Sequence, residues 1–131
     1  MSTFATQIQQ KPEGNGEAII VSVRASIAQH IVVVSSVPKT VGPVLYTVDG
    51  LKQLDADLVA RAEMGKVKYG TYLRANNGRS AIVDFYQEIL DAIMYAQQGR
   101  VEGDEVCSTY VELLINIGQK LASEIVRRRA A

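Results

Sequence analysis

Asp84-Phe85-Tyr86-Gln87-Glu88-Ile89-Leu90-Asp91-Ala92-Ile93-Met94-Tyr95 is the stretch whose reading decides the fold. Its apolar residues recur at the spacing of an α-helix, and the helix is expected over 81–96. Asp84, Glu88, Asp91 and Tyr95 stand at i, i+4, i+7 and i+11, so they share one narrow stripe. Phe85, Ile89, Ala92, Ile93 and Ala96 occupy the opposite face, and Val83, Leu90 and Met94 widen it. A helix this apolar is expected to be mostly buried. Carboxylates on one stripe of such a helix repel each other and lose hydration, which is unfavourable unless a cation sits against them. A divalent metal meets that need with oxygen ligands. The alternative is a stripe that faces solvent.

Immediately upstream, residues 66–79 collect Lys66, Lys68, Arg74 and Arg79, with a turn signal at Asn77-Gly78. Ser80 suits the N-cap of the acidic helix, and Asp84 in its first turn also suits the helix dipole. A cationic loop leading into an acidic stripe is what a metal–phosphate substrate needs: carboxylates for the metal, Lys and Arg for the remaining phosphate charge. Downstream, residues 97–103 read as a connection, and a last helix is expected from Asp104 to Arg128. Asp104 and Glu105 favour its start, and Arg127, Arg128 and Arg129 its end. Glu112 and Asn116 interrupt its apolar run, so Glu112 either completes the metal site from a facing helix or forms a salt bridge.

Further out, Leu51, Leu54, Leu58, Val59 and Ala62 mark a helix from Asp49 to Gly65, whose Glu63 lies just before the cationic loop. Val37–Pro43 is a break. The β-branched segment 18–36 favours two short strands, 18–24 and 30–36, with a helix as the alternative. His30 and Cys107 read as structural residues. Residues 1–17 are polar, contain Pro12, Gly14 and Gly16, and are expected to form a mobile tail ahead of a single domain over 18–131. The fold class is therefore all-α, a helical bundle with a short β or irregular N-terminal segment.

Composition narrows the function. The 131-residue chain balances 14 Lys and Arg against 14 Asp and Glu, which argues against a general nucleic-acid binder. A single cysteine excludes an intramolecular disulfide and fits a reducing compartment. No apolar run reaches membrane-spanning length and no signal pattern opens the chain, so a cytoplasmic location is expected. Helices 81–96 and 104–128 are apolar around much of their circumference, which one chain cannot cover. A closed homo-oligomer whose interface uses the last helix follows.

Taken together, Lys68-Tyr69-Gly70-Thr71-Tyr72-Leu73, Asn77-Gly78-Arg79 and Asp84-x-Tyr86-Gln87-Glu88-x-Leu90-Asp91-Ala92-x-x-Tyr95 resemble the phage-type MazG-like nucleotide pyrophosphohydrolases. The resemblance covers roughly residues 60–96. It implies an all-α dimer or tetramer that hydrolyses a nucleoside triphosphate to the monophosphate and pyrophosphate with Mg²⁺ or Mn²⁺, in the host cytoplasm if phage-encoded. The short chain also resembles the MazZ enzymes within that group, which implies (d)GTP as substrate. The family's metal motif is Glu-Glu-x-x-Glu followed by Glu-x-x-Asp. Gln87-Glu88-Ile89-Leu90-Asp91 matches the first with Gln and Asp substituted, or the second as Glu88-x-x-Asp91. The implied assignments are Glu88, Asp91 and Asp84 as catalytic metal ligands, with Glu112 as a further ligand. Lys66, Lys68, Tyr69, Asn77, Arg79 and Tyr95 are implied to bind substrate. The competing reading is a non-enzymatic oligomeric nucleotide sensor built on the same loop.

Overall fold

The described residues form four helices and one short hairpin: α1 (Ile19–Val34), β1 (Thr40–Val41), β2 (Val44–Leu45), α2 (Val48–Tyr69), α3 (Ala81–Val101) and α4 (Glu105–Ala130). They come from a computed structural model that describes residues 4–131. The chain is mostly helical, and it falls into two compact units. One unit comprises Gln10–Gly78; the other joins the described residues up to Gln9 to Arg79–Ala131.

In the first unit α1 packs on α2. The segment expected as two strands is a helix. Its inward positions, Ile20, Val23, Ile27 and Ile31, recur every three or four residues, and Ile27 is buried. Ala18 provides no side-chain cap; instead the Ile19 N–H donates to the Leu73 carbonyl at 2.8 Å. Strand pairing falls within and just after the Pro/Gly break, where Thr40 pairs with Leu45 and Val41 with Val44. His30 ties this hairpin to α1: Lys39 Nζ donates to its Nδ1 at 2.8 Å, and Tyr46 packs on the imidazole, ring centroids 5.3 Å apart. α2 begins at Thr47, whose Oγ1 accepts from the Gly50 N–H at 3.0 Å. It runs past Gly65 and stops at Gly70, which has φ 79° and donates its N–H to the Lys66 carbonyl at 2.8 Å.

The expected mobile tail is bonded along much of its described length; residues 1–3 lie outside the described residues. Glu13 N–H donates to the Asn77 carbonyl at 3.1 Å, and Ala75 N–H to the Glu17 carbonyl at 2.8 Å. Gly16 is required here, since a Cβ would run into the Ala75 carbonyl oxygen.

In the second unit α3 and α4 form an extensively packed hairpin with Val83, Val111 and Ile125 buried. The connection is shorter than expected, because α3 continues to Val101 and includes Gly99. A Cβ on Gly99 would meet Cys107 Sγ, and one on Gly118 would lie 3.1 Å from Ile93 Cδ1, so both glycines allow the helices their close approach. Ser80 caps α3, its Oγ accepting from the Val83 N–H at 3.4 Å. Asp104 caps α4 by accepting from the N–H groups of Val106 and Cys107 at 2.9 and 3.2 Å. Phe4 is buried against Val83 and Ile125 beside Ile82 and Tyr86, with the Arg129 guanidinium 4.2 Å from its ring centroid. Gln87 Nε2 holds this segment by donating to the carbonyls of Phe4 and Gln7, both at 2.9 Å.

Candidate functional site

The residues expected to bind metal and substrate are divided between the two units. On α3 the acidic stripe splits in function. Asp84 is clamped: Arg79 Nη2 donates to its Oδ1 at 2.7 Å, Arg79 Nε to its Oδ2 at 3.0 Å, and Gln9 Nε2 to its Oδ1 at 2.7 Å. Gln9 also donates to the Ser80 carbonyl at 3.1 Å and accepts from the Ser80 N–H. Asp84 thus anchors the start of α3, and Arg79 is committed to it and to the Gln9 carbonyl at 3.5 Å. Neither is presented as a ligand for metal or phosphate.

Glu88 and Asp91 lie one turn apart on the exposed side of α3, and neither has a hydrogen bond or ion pair among the described residues. The expectation that this helix is mostly buried is corrected here. Phe85 is 50% exposed, Met94 70% and Tyr95 71%, so apolar groups flank the two carboxylates on a solvent-facing side. Glu112 does not join them: it is exposed on α4 and paired with Arg100 Nη1 at 3.5 Å.

Among the described residues no group of three or more His, Cys, Asp or Glu side chains is placed to hold a metal ion. The expected four-carboxylate set therefore does not fit a metal centre. Glu88 and Asp91 remain as two exposed carboxylates at i and i+3 on α3.

In the other unit two of the cationic residues expected in a loop are helical. Lys66 and Lys68 occupy the last turn of α2, because that helix ends at Gly70 and not at Gly65. Lys66 Nζ lies 4.6 Å from the Tyr72 ring centroid, and Lys68 Nζ lies 5.1 Å from that of Tyr69. Tyr72 donates its hydroxyl to Glu63 Oε1, and that bond raises the phenol's pKa above its usual value. Lys66, Lys68 and Tyr69 are exposed, forming a cationic, aromatic helix end. Asn77 is buried, with its carbonyl on Glu13, so it shapes the loop instead of facing a substrate.

Sequence reasoning missed Gln9 and Tyr72. Gln9 lies in a polar segment with no local signal, and its partners are far along the chain. Tyr72 follows Glu63 and Lys66 closely in sequence, and only the turn at Gly70 brings the three together. The chain matches no protein-family model, no curated protein and no solved structure. No helix among the described residues is long and apolar enough to cross a membrane.

Proposed function

We propose that the chain is a MazG-like nucleoside triphosphate pyrophosphohydrolase with a helical-bundle fold, dependent on Mg²⁺ or Mn²⁺ and acting on (d)GTP among its substrates. It assembles as a homodimer or homotetramer in the cytoplasm. The observation that carries the reading is the pair Glu88 and Asp91, adjacent, exposed and unpaired among the described residues, on the helix that bears the family-like motif. These two carboxylates would hold the divalent cation. When bound, the cation supplies electrostatic stabilisation of charge on phosphate oxygens.

The exposed end of α2 supports a nucleotide ligand independently. Lys66 and Lys68 offer ammonium groups to phosphate oxygens, and Tyr69 offers a ring face to a base. Asp84 and Arg79 hold the start of α3 and so fix the helix on which Glu88 and Asp91 stand. The exposed apolar side chains on α3 and α4 support assembly with further copies, Phe85, Tyr95, Val106 and Val126 among them.

The test is incubation of the purified chain with each of the eight common nucleoside and deoxynucleoside triphosphates, with Mg²⁺ or Mn²⁺, followed by chromatography of the products. Monophosphate and pyrophosphate in equal amounts are expected, and Glu88→Gln and Asp91→Asn should each abolish their release while circular dichroism stays unchanged. Failure to release pyrophosphate from any of the eight, or full turnover by both variants, would overturn the assignment.

A further inference from the structure

His30 is the chain's single histidine and stands toward the carboxyl end of α1. Lys39 lies just ahead of β1 and Tyr46 just after β2. The Tyr46 N–H donates to the Lys39 carbonyl at 2.9 Å, so these two residues close the base of the hairpin. Both side chains meet the same imidazole. Lys39 Nζ donates to Nδ1 at 2.8 Å, and the Tyr46 ring stands edge-on to it at 71°. The ammonium also lies 5.2 Å from the Tyr46 ring centroid. All three residues are half-buried. Thr40, Val41 and Leu45 are exposed, and Val44 alone of the strand residues is half-buried, so the hairpin buries little apolar surface of its own. Among the described residues, the bond from Lys39 to His30 is the one hydrogen bond that joins residues 39–46 to α1.

That bond dictates the state of the ring. An ammonium group only donates, so Nδ1 must accept, and the neutral imidazole carries its hydrogen on Nε2. A protonated ring has no free lone pair at Nδ1 and sets a second positive charge against Lys39. Among the described residues no carboxylate bonds to the ring to offset it. On α1 the one Lys, Arg, Asp or Glu is Arg24, which Asp55 of α2 engages at 3.0 and 3.1 Å. Between the hairpin and Asp55, α2 carries Asp49 and Lys52; both are exposed, and neither forms a hydrogen bond or ion pair among the described residues. On the hairpin side the groups facing His30 are Lys39 and Tyr46 themselves.

We infer that His30 is a proton-operated latch on the β1–β2 hairpin: the neutral imidazole holds Lys39, and with it the hairpin base, against α1, and protonation expels Lys39 and frees the hairpin. The latched form excludes from Nδ1 a proton that the released form takes up, so acid drives release. The Arg24–Asp55 pair and the buried Ile27 lie outside the latch, so α1 stays on α2. The latch is independent of the proposed hydrolysis and stands if that reaction fails.

The experiment follows the isotopically labelled full-length chain by nuclear magnetic resonance from about pH 8 to about pH 5, the interval in which histidines as a class change charge. The ring protons of the one histidine report its protonation. The heteronuclear Overhauser effect at the backbone nitrogens of residues 40–45 reports mobility, which a nearby charge alone does not change. As the ring takes its proton, residues 40–45 should lose their rigidity with the same midpoint. The contact between the Lys39 side chain and the ring protons should vanish, while Ile27 and Leu51 stay rigid. His30→Asn offers an amide oxygen where Nδ1 stood and takes no proton, so its hairpin should show no transition across the range. In Lys39→Met the ring still titrates, but hairpin mobility should no longer follow it. Circular dichroism checks that both variants are folded. Hairpin mobility that does not change while the wild-type ring titrates overturns the inference, and so does a wild-type transition retained in His30→Asn or in Lys39→Met.

Discussion

Replacing Phe4 with alanine tests whether the N-terminal segment is part of the α3–α4 unit or an appendage to it. The ring is buried against Val83 and Ile125, beside Ile82 and Tyr86, and the Arg129 guanidinium stacks on it at 4.2 Å. A phenylalanine buries roughly 150–250 Å², which at about 25 cal/mol per Å² gives an upper bound of about 4–6 kcal/mol. Partial collapse of the neighbouring side chains into the gap left by the ring lowers the cost, so a loss of about 3 kcal/mol is expected, at the low end for phenylalanine truncations. With a urea dependence of about 1–3 kcal/mol per molar, the midpoint should fall by about 1 M or more. The assay is urea unfolding followed by circular dichroism, with hydrogen exchange at the α3 and α4 amides to place the effect in that unit. Arg129→Met removes the cation but leaves the apolar seat, and should lose only about 0.5–1 kcal/mol. An unchanged midpoint for Phe4→Ala, with unchanged exchange in α3, would show that the segment contributes nothing and refute the reasoning.

Asp84→Asn breaks the two-pronged contact with Arg79 and removes an acid from the first turn of α3. It should lower stability by about 1–3 kcal/mol, read as a drop in melting temperature, whereas Glu88→Gln should leave that temperature unchanged. Gly99→Ala places a methyl group against Cys107 and should destabilise the hairpin by about 1–3 kcal/mol. Adding Cys107→Ala should restore part of that loss, and strictly additive losses would show that the two positions do not touch. Hydrogen bonds from Arg127 and Arg128 hold the Glu124 carboxyl down at about 2, below its ordinary 4.5. Because the folded value is the lower one, the contribution is full above pH 4.5 and fades as pH falls toward 2. The Glu124 carboxyl resonance should titrate near pH 2 in the folded chain, and near its ordinary value in Arg127→Gln/Arg128→Gln.

What the sequence determined by itself is local. Ser80 and Asp104 announce the starts of α3 and α4 because a cap is a side chain bonding N–H groups two or three residues away. The hydrophobic spacing of α2, α3 and α4 is equally local, so their existence was legible, with ends off by a few residues where two glycines competed to stop α2. The candidate site was legible only as a pattern. The shared stripe of Asp84, Glu88 and Asp91 is a property of the helix, but which acid is neutralised depends on Gln9 and Arg79. Tertiary structure alone decided the rest. α1 is helical although its residues favour strands and it lacks a side-chain cap, because Leu73 offers a carbonyl to the first N–H and α2 covers Ile27. Phe4 and Gln9 are bonded parts of a unit because Ile125, Gln87 and Ser80 receive them from distant points in the chain. The physical reason is range: periodicity and caps act over a turn or two of backbone, whereas burial and hydrogen-bond pairing depend on which distant residues arrive as neighbours.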